Sequence, residues 1–157
     1  MKRFAILIVL ALTITIAYGQ KNVRQTASNF LKSGKLDKAV EAINECVANP
    51  ATLEDARAWF IRGNIYLEIA NTTNEAFSAL NSDPLTKALD SYKKAMEYDP
   101  KKEFYDDIFV KLNWQRNKLY NTAVDAYNKQ DFSLAMTSFA NAADVIAIAE
   151  ITDTVSL

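Results

Sequence analysis

Two short patterns of small and aromatic residues constrain the fold of this chain most. Trp59, Gly63 and Tyr66 follow the spacing W-x3-G-x2-Y. Intervals of four and three residues place side chains on one face of an α-helix, and a glycine there lets a second helix approach closely. The second pattern, A-x3-Y-x2-A-x4-P, begins at Ala88 and ends at Pro100, which stops a helix because proline has no amide hydrogen and clashes with the preceding turn. Together the patterns predict two antiparallel helices in close contact.

These residues resemble the tetratricopeptide repeat (TPR) family, whose unit carries aromatic, Gly and Tyr on one helix and Ala, aromatic, Ala and Pro on the other. Weaker copies of the unit precede and follow this one. The resemblance implies an all-α fold, a TPR-like helical solenoid of about three helix-turn-helix repeats over residues 22–50, 53–100 and 101–147. Corresponding positions such as Ala39 and Ala88 are further apart than the family's unit of about 34 residues, so the repeats contain additional chain.

The additional chain falls in two places. Residues 71–74 and 81–84 are rich in turn-forming side chains, which predicts a long loop between Glu68 and Lys87 in which Asp83 caps the next helix and Pro84 opens it. An apolar stripe at helical spacing runs from Phe104 to Ala126 and predicts one extended helix over residues 101–129.

The two ends of the chain carry further expectations. Residues 1–19 combine Lys2 and Arg3 with a short apolar run and small residues before position 20, which predicts a signal peptide and a mature domain of residues 20–157. We therefore expect a bacterial protein exported to the periplasm or secreted, with no stable membrane insertion after cleavage. A retained membrane anchor is the alternative.

The C-terminal helix is unusually apolar for the end of a solenoid, which normally finishes in a polar capping helix. Its apolar residues are Val145, Ile146, Ile148, Ile151, Val155 and Leu157. We expect this surface to be covered. The favoured interpretation is that the chain is the N-terminal part of a longer array, and the alternative is self-association through the C-terminal helix.

The composition excludes several functions. The chain has no histidine and one cysteine, Cys46, so Ser-His-Asp catalysis, Cys-His catalysis and His or Cys zinc sites are excluded. The paired carboxylates Asp106 with Asp107, and Glu41 with Glu45, are interpreted as solvated helix faces, so we predict no enzyme activity and no cofactor. A formal net charge of −1 with scattered basic residues argues against nucleic acid as a partner.

The resemblance implies that first helices of successive repeats line a concave groove holding a partner peptide or helix. The residues that would bind an unknown protein partner there are Arg57, Phe60, Asn64, Tyr120, Asn121 and Tyr127. The predicted function is a non-catalytic protein-protein interaction scaffold or adaptor in the cell envelope. Two alternatives remain. The aromatic rings could pack under the long loop, or the chain could be a glycan-binding module of an exported oligosaccharide-uptake system, with Trp114 lying off the apolar stripe of its helix.

Overall fold

The structure is a computed structural model that describes residues 22–153, with side chains described over residues 22–150. The predicted signal peptide, the start of the mature chain at Gln20, and the apolar residues Val155 and Leu157 lie outside that range. Every regular element in the described range is an α-helix, and no strand occurs there. The helices are α1 (residues 22–32), α2 (Leu36–Ala48), α3 (Ala56–Asn71), α4 (Glu75–Ser78), α5 (Pro84–Glu97), α6 (Tyr105–Asn128) and α7 (Phe132–Asp153). The prediction of an all-α fold is therefore confirmed.

The described part of the chain divides into two compact units, one ending at residue 98 and the other beginning at residue 99. In the first unit, α3 packs against both α2 and α5. The larger side chains that are wholly buried in this unit include Ile43, Ile65, Ile69 and Tyr92. These residues come from α2, α3 and α5, so the three helices share one apolar core.

Local hydrogen bonds explain where the helices of the first unit begin and end. Gly34 has a φ of 69°, the left-handed conformation that favours glycine, and it ends α1 by donating its amide to Leu31 O at 3.0 Å. The Asp55 carboxylate caps α3 by accepting the amides of Arg57 and Ala58 at 3.0 and 3.2 Å. At α5, Asp83 accepts the amide of Thr86 at 3.3 Å and Pro84 opens the helix, as the sequence predicts.

The predicted loop between Glu68 and Lys87 is more ordered than the sequence indicates. Helix α3 continues to Asn71, and the single turn of α4 follows at Glu75–Ser78. Asn74 caps that turn by accepting the amide of Ala76 at 3.0 Å. The turn-rich residues therefore act as helix caps within the connection.

The second unit is a pair of long helices, α6 and α7, packed on each other. Helix α6 has 24 residues, about 36 Å at 1.5 Å per residue. It begins at Tyr105, later than residue 101, because a turn precedes it: Asp99 accepts the amide of Phe104 at 2.9 Å and Lys102 has a φ of 58°. Between the helices, Asp131 caps α7 by accepting the amide of Leu134 at 3.1 Å.

Most of α7 is apolar. Among the described residues, Phe132–Glu150 is long and apolar enough to cross a membrane, with a mean hydropathy of 1.4 and 33% of the segment buried. Core helices of soluble proteins meet the same criterion, so this is weak evidence for a membrane span.

Candidate functional site

Two of the groove residues predicted in the first unit lie against one buried ring. The hydroxyl of Tyr92 donates to Asn64 Oδ1 at 2.9 Å, and the Phe60 ring is tilted by 43° to the Tyr92 ring with 6.3 Å between centroids. Tyr92 is fully buried, and burial raises the pKa of its hydroxyl. Asn64 and Phe60 are themselves half-buried. Both side chains therefore take part in the packing of α3 on α5.

Arg57 is the third predicted residue of the first unit, and it is exposed. It occupies the first turn of α3, where its amide donates to the capping carboxylate of Asp55. That carboxylate also forms an ion pair with Arg24 of α1. Arg57 thus lies on the surface, at the N-terminus of α3 that Asp55 caps.

The other three predicted residues, on α6, belong to the second unit. Tyr120 is 55% exposed and Tyr127 is 61% exposed. Each packs edge-on against an aromatic ring of α7 with 5.8 Å between centroids, Tyr120 on Phe139 and Tyr127 on Phe132. Asn121 is exposed. Its position directly after Tyr120 places it about 100° further around the helix, away from the tyrosine pair.

Helix α7 carries two apolar stripes. The buried stripe consists of Ala135, Ala142, Val145, Ile148 and Ala149. The second stripe is exposed and has successive intervals of four, three, four and three residues: Phe132, Met136, Phe139, Ala143 and Ile146. Intervals of this kind average 3.5 residues, which is the spacing of a seam between two packed helices.

The exposed stripe and the two tyrosines of α6 form one surface, which we name the α6/α7 face. It comprises Tyr120, Tyr127, Phe132, Met136, Phe139 and Ile146. Met136, at 73% exposed, is the most accessible of its large side chains. The two tyrosines were predicted as binding residues from the sequence, and Ile146 was among the apolar C-terminal residues expected to be covered. Phe132, Met136 and Phe139 were not predicted, although their four-three spacing is visible in the sequence.

A separate part of α6 exposes another aromatic side chain. Trp114 is 56% exposed, and Lys118 Nζ lies 5.5 Å from the centre of its ring. The prediction that Trp114 lies off the buried stripe of its helix is therefore confirmed. Because Trp114 precedes Tyr120 by six residues, the two rings are about 120° apart around the helix and belong to different surfaces.

The described side chains contain no cluster of three or more histidine, cysteine, aspartate or glutamate residues that could hold a metal ion. Cys46 is fully buried, and burial raises the pKa of its thiol, so it remains protonated at neutral pH. The hydroxyl of Thr52 donates a hydrogen bond to the backbone carbonyl oxygen of Cys46. Cys46 is thus placed as a packing residue.

Comparisons with known proteins leave the class of this chain open. No protein-family model matches it, and no curated protein or solved structure matches it significantly. The α6/α7 face is therefore the main structural indication of function in the described part of the chain.

Proposed function

We propose that this chain is a non-catalytic protein-binding scaffold whose α6/α7 face binds an amphipathic helix of a partner protein. The observation that carries the proposal is the exposed four-three stripe of α7. A partner helix would present apolar side chains at the same average interval of 3.5 residues. An extended peptide, whose side chains alternate with a period of two, would match the stripe at few positions.

The composition of the face supports this choice of ligand. Large apolar and aromatic side chains supply most of the binding energy at protein interfaces, and tyrosine is enriched among them. The face combines two tyrosines with two phenylalanines and a methionine, and these side chains are between 40% and 73% exposed. Removing them from water on association would favour binding.

The charges of α7, which supplies four of the six residues of the face, indicate the polar side of the partner; the neighbouring part of α6 carries charges of both signs. Between residues 132 and 150, α7 carries the acidic residues Asp144 and Glu150 and no lysine or arginine. A partner helix with lysine or arginine flanking its apolar stripe would be electrostatically complementary to this segment. We therefore expect a basic amphipathic helix as the bound element.

The wider setting of the scaffold is also a proposal. We infer a TPR-like solenoid from the W-x3-G-x2-Y and A-x3-Y-x2-A-x4-P patterns, and an exported protein of the cell envelope from residues 1–19. Arg57, Phe60, Asn64 and Asn121 are the remaining members of the groove implied by that resemblance. Binding through the α6/α7 face requires none of these four.

Affinity capture with matched variants tests the proposed function. Residues 20–157 are immobilised in wild-type form, as Met136→Glu and as Thr137→Glu, and exposed to envelope extract of the producing cells. Thr137 is exposed and lies about 100° from Met136 around the helix, so its variant makes the same charge change off the face. The proposal predicts a protein that is retained by wild type and Thr137→Glu, is lost by Met136→Glu, and binds through a segment with apolar residues at intervals of three and four. Equal retention by all three forms, or recovery of only this chain itself, would contradict it.

A glycan ligand is the second candidate, and the exposed ring of Trp114 is the observation that favours it. Sugars stack on exposed aromatic rings, and Val110, which precedes Trp114 by four residues, is also exposed. This candidate uses a different side of α6, so binding at Trp114 and binding at the α6/α7 face can be measured separately.

A further inference from the structure

An open pocket of about 500 Å³ lies beside α3 and α5 in the first unit. Trp59 and Arg62 line it from α3, and charged side chains of α5 line the remainder. Neither the groove prediction nor the α6/α7 face includes this pocket.

Arg62 is held in the pocket wall by neutral partners. Its Nε donates to Asn44 Oδ1 at 3.0 Å, and its Nη1 donates to Ser91 Oγ at 2.6 Å. The guanidinium carbon lies 5.6 Å from the centre of the Trp59 ring and 4.7 Å from that of Tyr66. These contacts come from α2, α3 and α5, so the position of the guanidinium is fixed before any ligand arrives.

The same guanidinium keeps donors for a ligand. Arginine has five N–H groups. The two hydrogen bonds above use two of them and a hydrogen bond to the Tyr66 side chain uses a third, so two remain. Among the described side chains, no carboxylate lies within 4.0 Å of Arg62, although the nearby side chains of Tyr66 and Asp90 favour its protonated form. Burial lowers the pKa of Arg62 from its usual value, but arginine remains charged at neutral pH. A half-buried positive charge with spare donors is a favourable partner for an anion.

The charges around Arg62 are mostly positive. Lys87, Lys93 and Lys94 line the pocket with the carboxylates Asp90 and Glu97. Lys94 Nζ donates to Glu97 Oε2 at 2.7 Å, so that pair is internally neutral. The remaining side chains, Arg62 included, are three cations and one carboxylate. A local excess of positive charge stands out in a chain whose net charge is −1, and it would attract anionic ligands.

Trp59 gives the pocket an apolar side. Its indole N–H donates to the carbonyl oxygen of Leu53 at 2.6 Å, which fixes the ring and uses its one donor. The half-buried ring therefore offers only its apolar surface to a ligand. A ligand with carboxylates next to apolar side chains matches both parts of the pocket.

We propose that the Trp59/Arg62 pocket binds the side-chain carboxylates of an acidic peptide segment, with Arg62, Lys87 and Lys93 contacting the carboxylates and Trp59 contacting the neighbouring apolar side chain. The arginine fork suits the planar carboxylate, and the lysines contribute as mobile point charges. This site is independent of the α6/α7 face, so either can exist without the other.

Tryptophan fluorescence tests the pocket directly. In a Trp114→Phe background Trp59 is the sole tryptophan. The full mature chain is titrated at low salt with the capped peptide acetyl-Glu-Leu-Glu-Leu-Glu-amide, with the same peptide carrying glutamine for glutamate, and with inorganic phosphate. We expect a saturable change with the glutamate peptide, none with the glutamine peptide, and weakening as salt is added.

Two charge-matched variants locate the site. Lys87→Glu/Lys93→Glu reverses two exposed charges in the pocket, whereas Lys32→Glu/Lys35→Glu reverses two exposed charges elsewhere in the first unit. The first is expected to weaken binding at least tenfold and the second less than threefold. The proposal is overturned if the glutamate peptide produces no saturable change, if both variants weaken binding equally, or if phosphate saturates the signal while the peptide does not.

Discussion

A Cβ atom added to Gly63 would lie 2.5 Å from Cε1 and 2.6 Å from Cδ1 of Tyr92. Real Cβ atoms do not approach other atoms this closely, so the absence of a side chain at Gly63 is what allows the Tyr92 ring to lie against α3. Tyr92 is fully buried, and its hydroxyl donates to Asn64 on the same helix, so the ring has little freedom to move away. The close approach predicted from the W-x3-G-x2-Y spacing is therefore confirmed.

The first prediction concerns this contact. Gly63→Ala should lower the free energy of unfolding by about 1–3 kcal/mol, since overpacking a close contact outweighs the gain of up to about 1 kcal/mol in helix propensity. Urea unfolding of the two proteins measures the difference. In a Tyr92→Leu background, which removes the ring, the same change should be close to neutral or stabilising. An equal loss of stability in both backgrounds would contradict the assigned contact.

Asn64 and Asn121 are expected to behave differently although both were predicted as groove residues. Asn64→Ala removes the acceptor of the buried Tyr92 hydroxyl and should destabilise the fold by about 1–3 kcal/mol. Asn121 is exposed, so Asn121→Ala should stay within about 0.5 kcal/mol of wild type. Thermal and urea unfolding of the pair measure both values. Indistinguishable stabilities would show that Asn64 does not support the fold in the way its hydrogen bond indicates.

The buried hydroxyl of Tyr92 should make the free energy of unfolding depend on pH. Burial raises the pKa of its hydroxyl in the folded state, while the unfolded chain has the ordinary value of about 10. The contribution of Tyr92 is therefore fully present below about pH 10 and is lost as the pH rises above it, by up to about 1.4 kcal/mol per pH unit. Tyr92→Phe has no hydroxyl to titrate and should show a shallower decline above pH 10 in urea unfolding series. Parallel curves for the two proteins would rule out this titration.

The protein-binding and glycan-binding proposals differ at Trp114. In Trp59→Phe, Trp114 is the sole tryptophan, and its exposed ring reports any ligand stacked on it. The scaffold proposal predicts no saturable fluorescence change across a broad glycan panel. A saturable response to one glycan class would favour the glycan module instead. In that case Trp114→Ala should abolish binding of the labelled sugar in an equilibrium measurement.

Local sequence signals predicted the all-α class and several helix ends because they act through near neighbours in the chain. The cap at Asp83 and the helix start at Pro84 each depend on residues within a few positions. The start of α6 was placed four residues early because the positive φ of Lys102 and the bond from Phe104 to Asp99 are invisible in the apolar pattern.

The candidate sites were harder to predict because they depend on which faces of different helices meet. Phe60 and Asn64 border the face that packs on α5, and only the position of Tyr92 reveals that they contact it. In the Trp59/Arg62 pocket, the arginine side chain on α3 is held by hydrogen bonds to residues of α2 and α5, and the sequence does not show that these helices meet there. The stripe of α7 was within reach of sequence analysis, but its exposure was known only once the partner face of α6 had been located.

Site-specific photo-crosslinking at position 136 tests the proposed scaffold function most directly. A photoreactive amino acid replaces Met136 on the α6/α7 face or Thr137 beside it, in the full chain produced in its own cells. We predict that the probe at 136 crosslinks to one partner protein within a basic amphipathic helix, and that the probe at 137 gives a much weaker product. Equal crosslinking from both positions, no product from 136, or a product containing only a second copy of this chain would contradict the account.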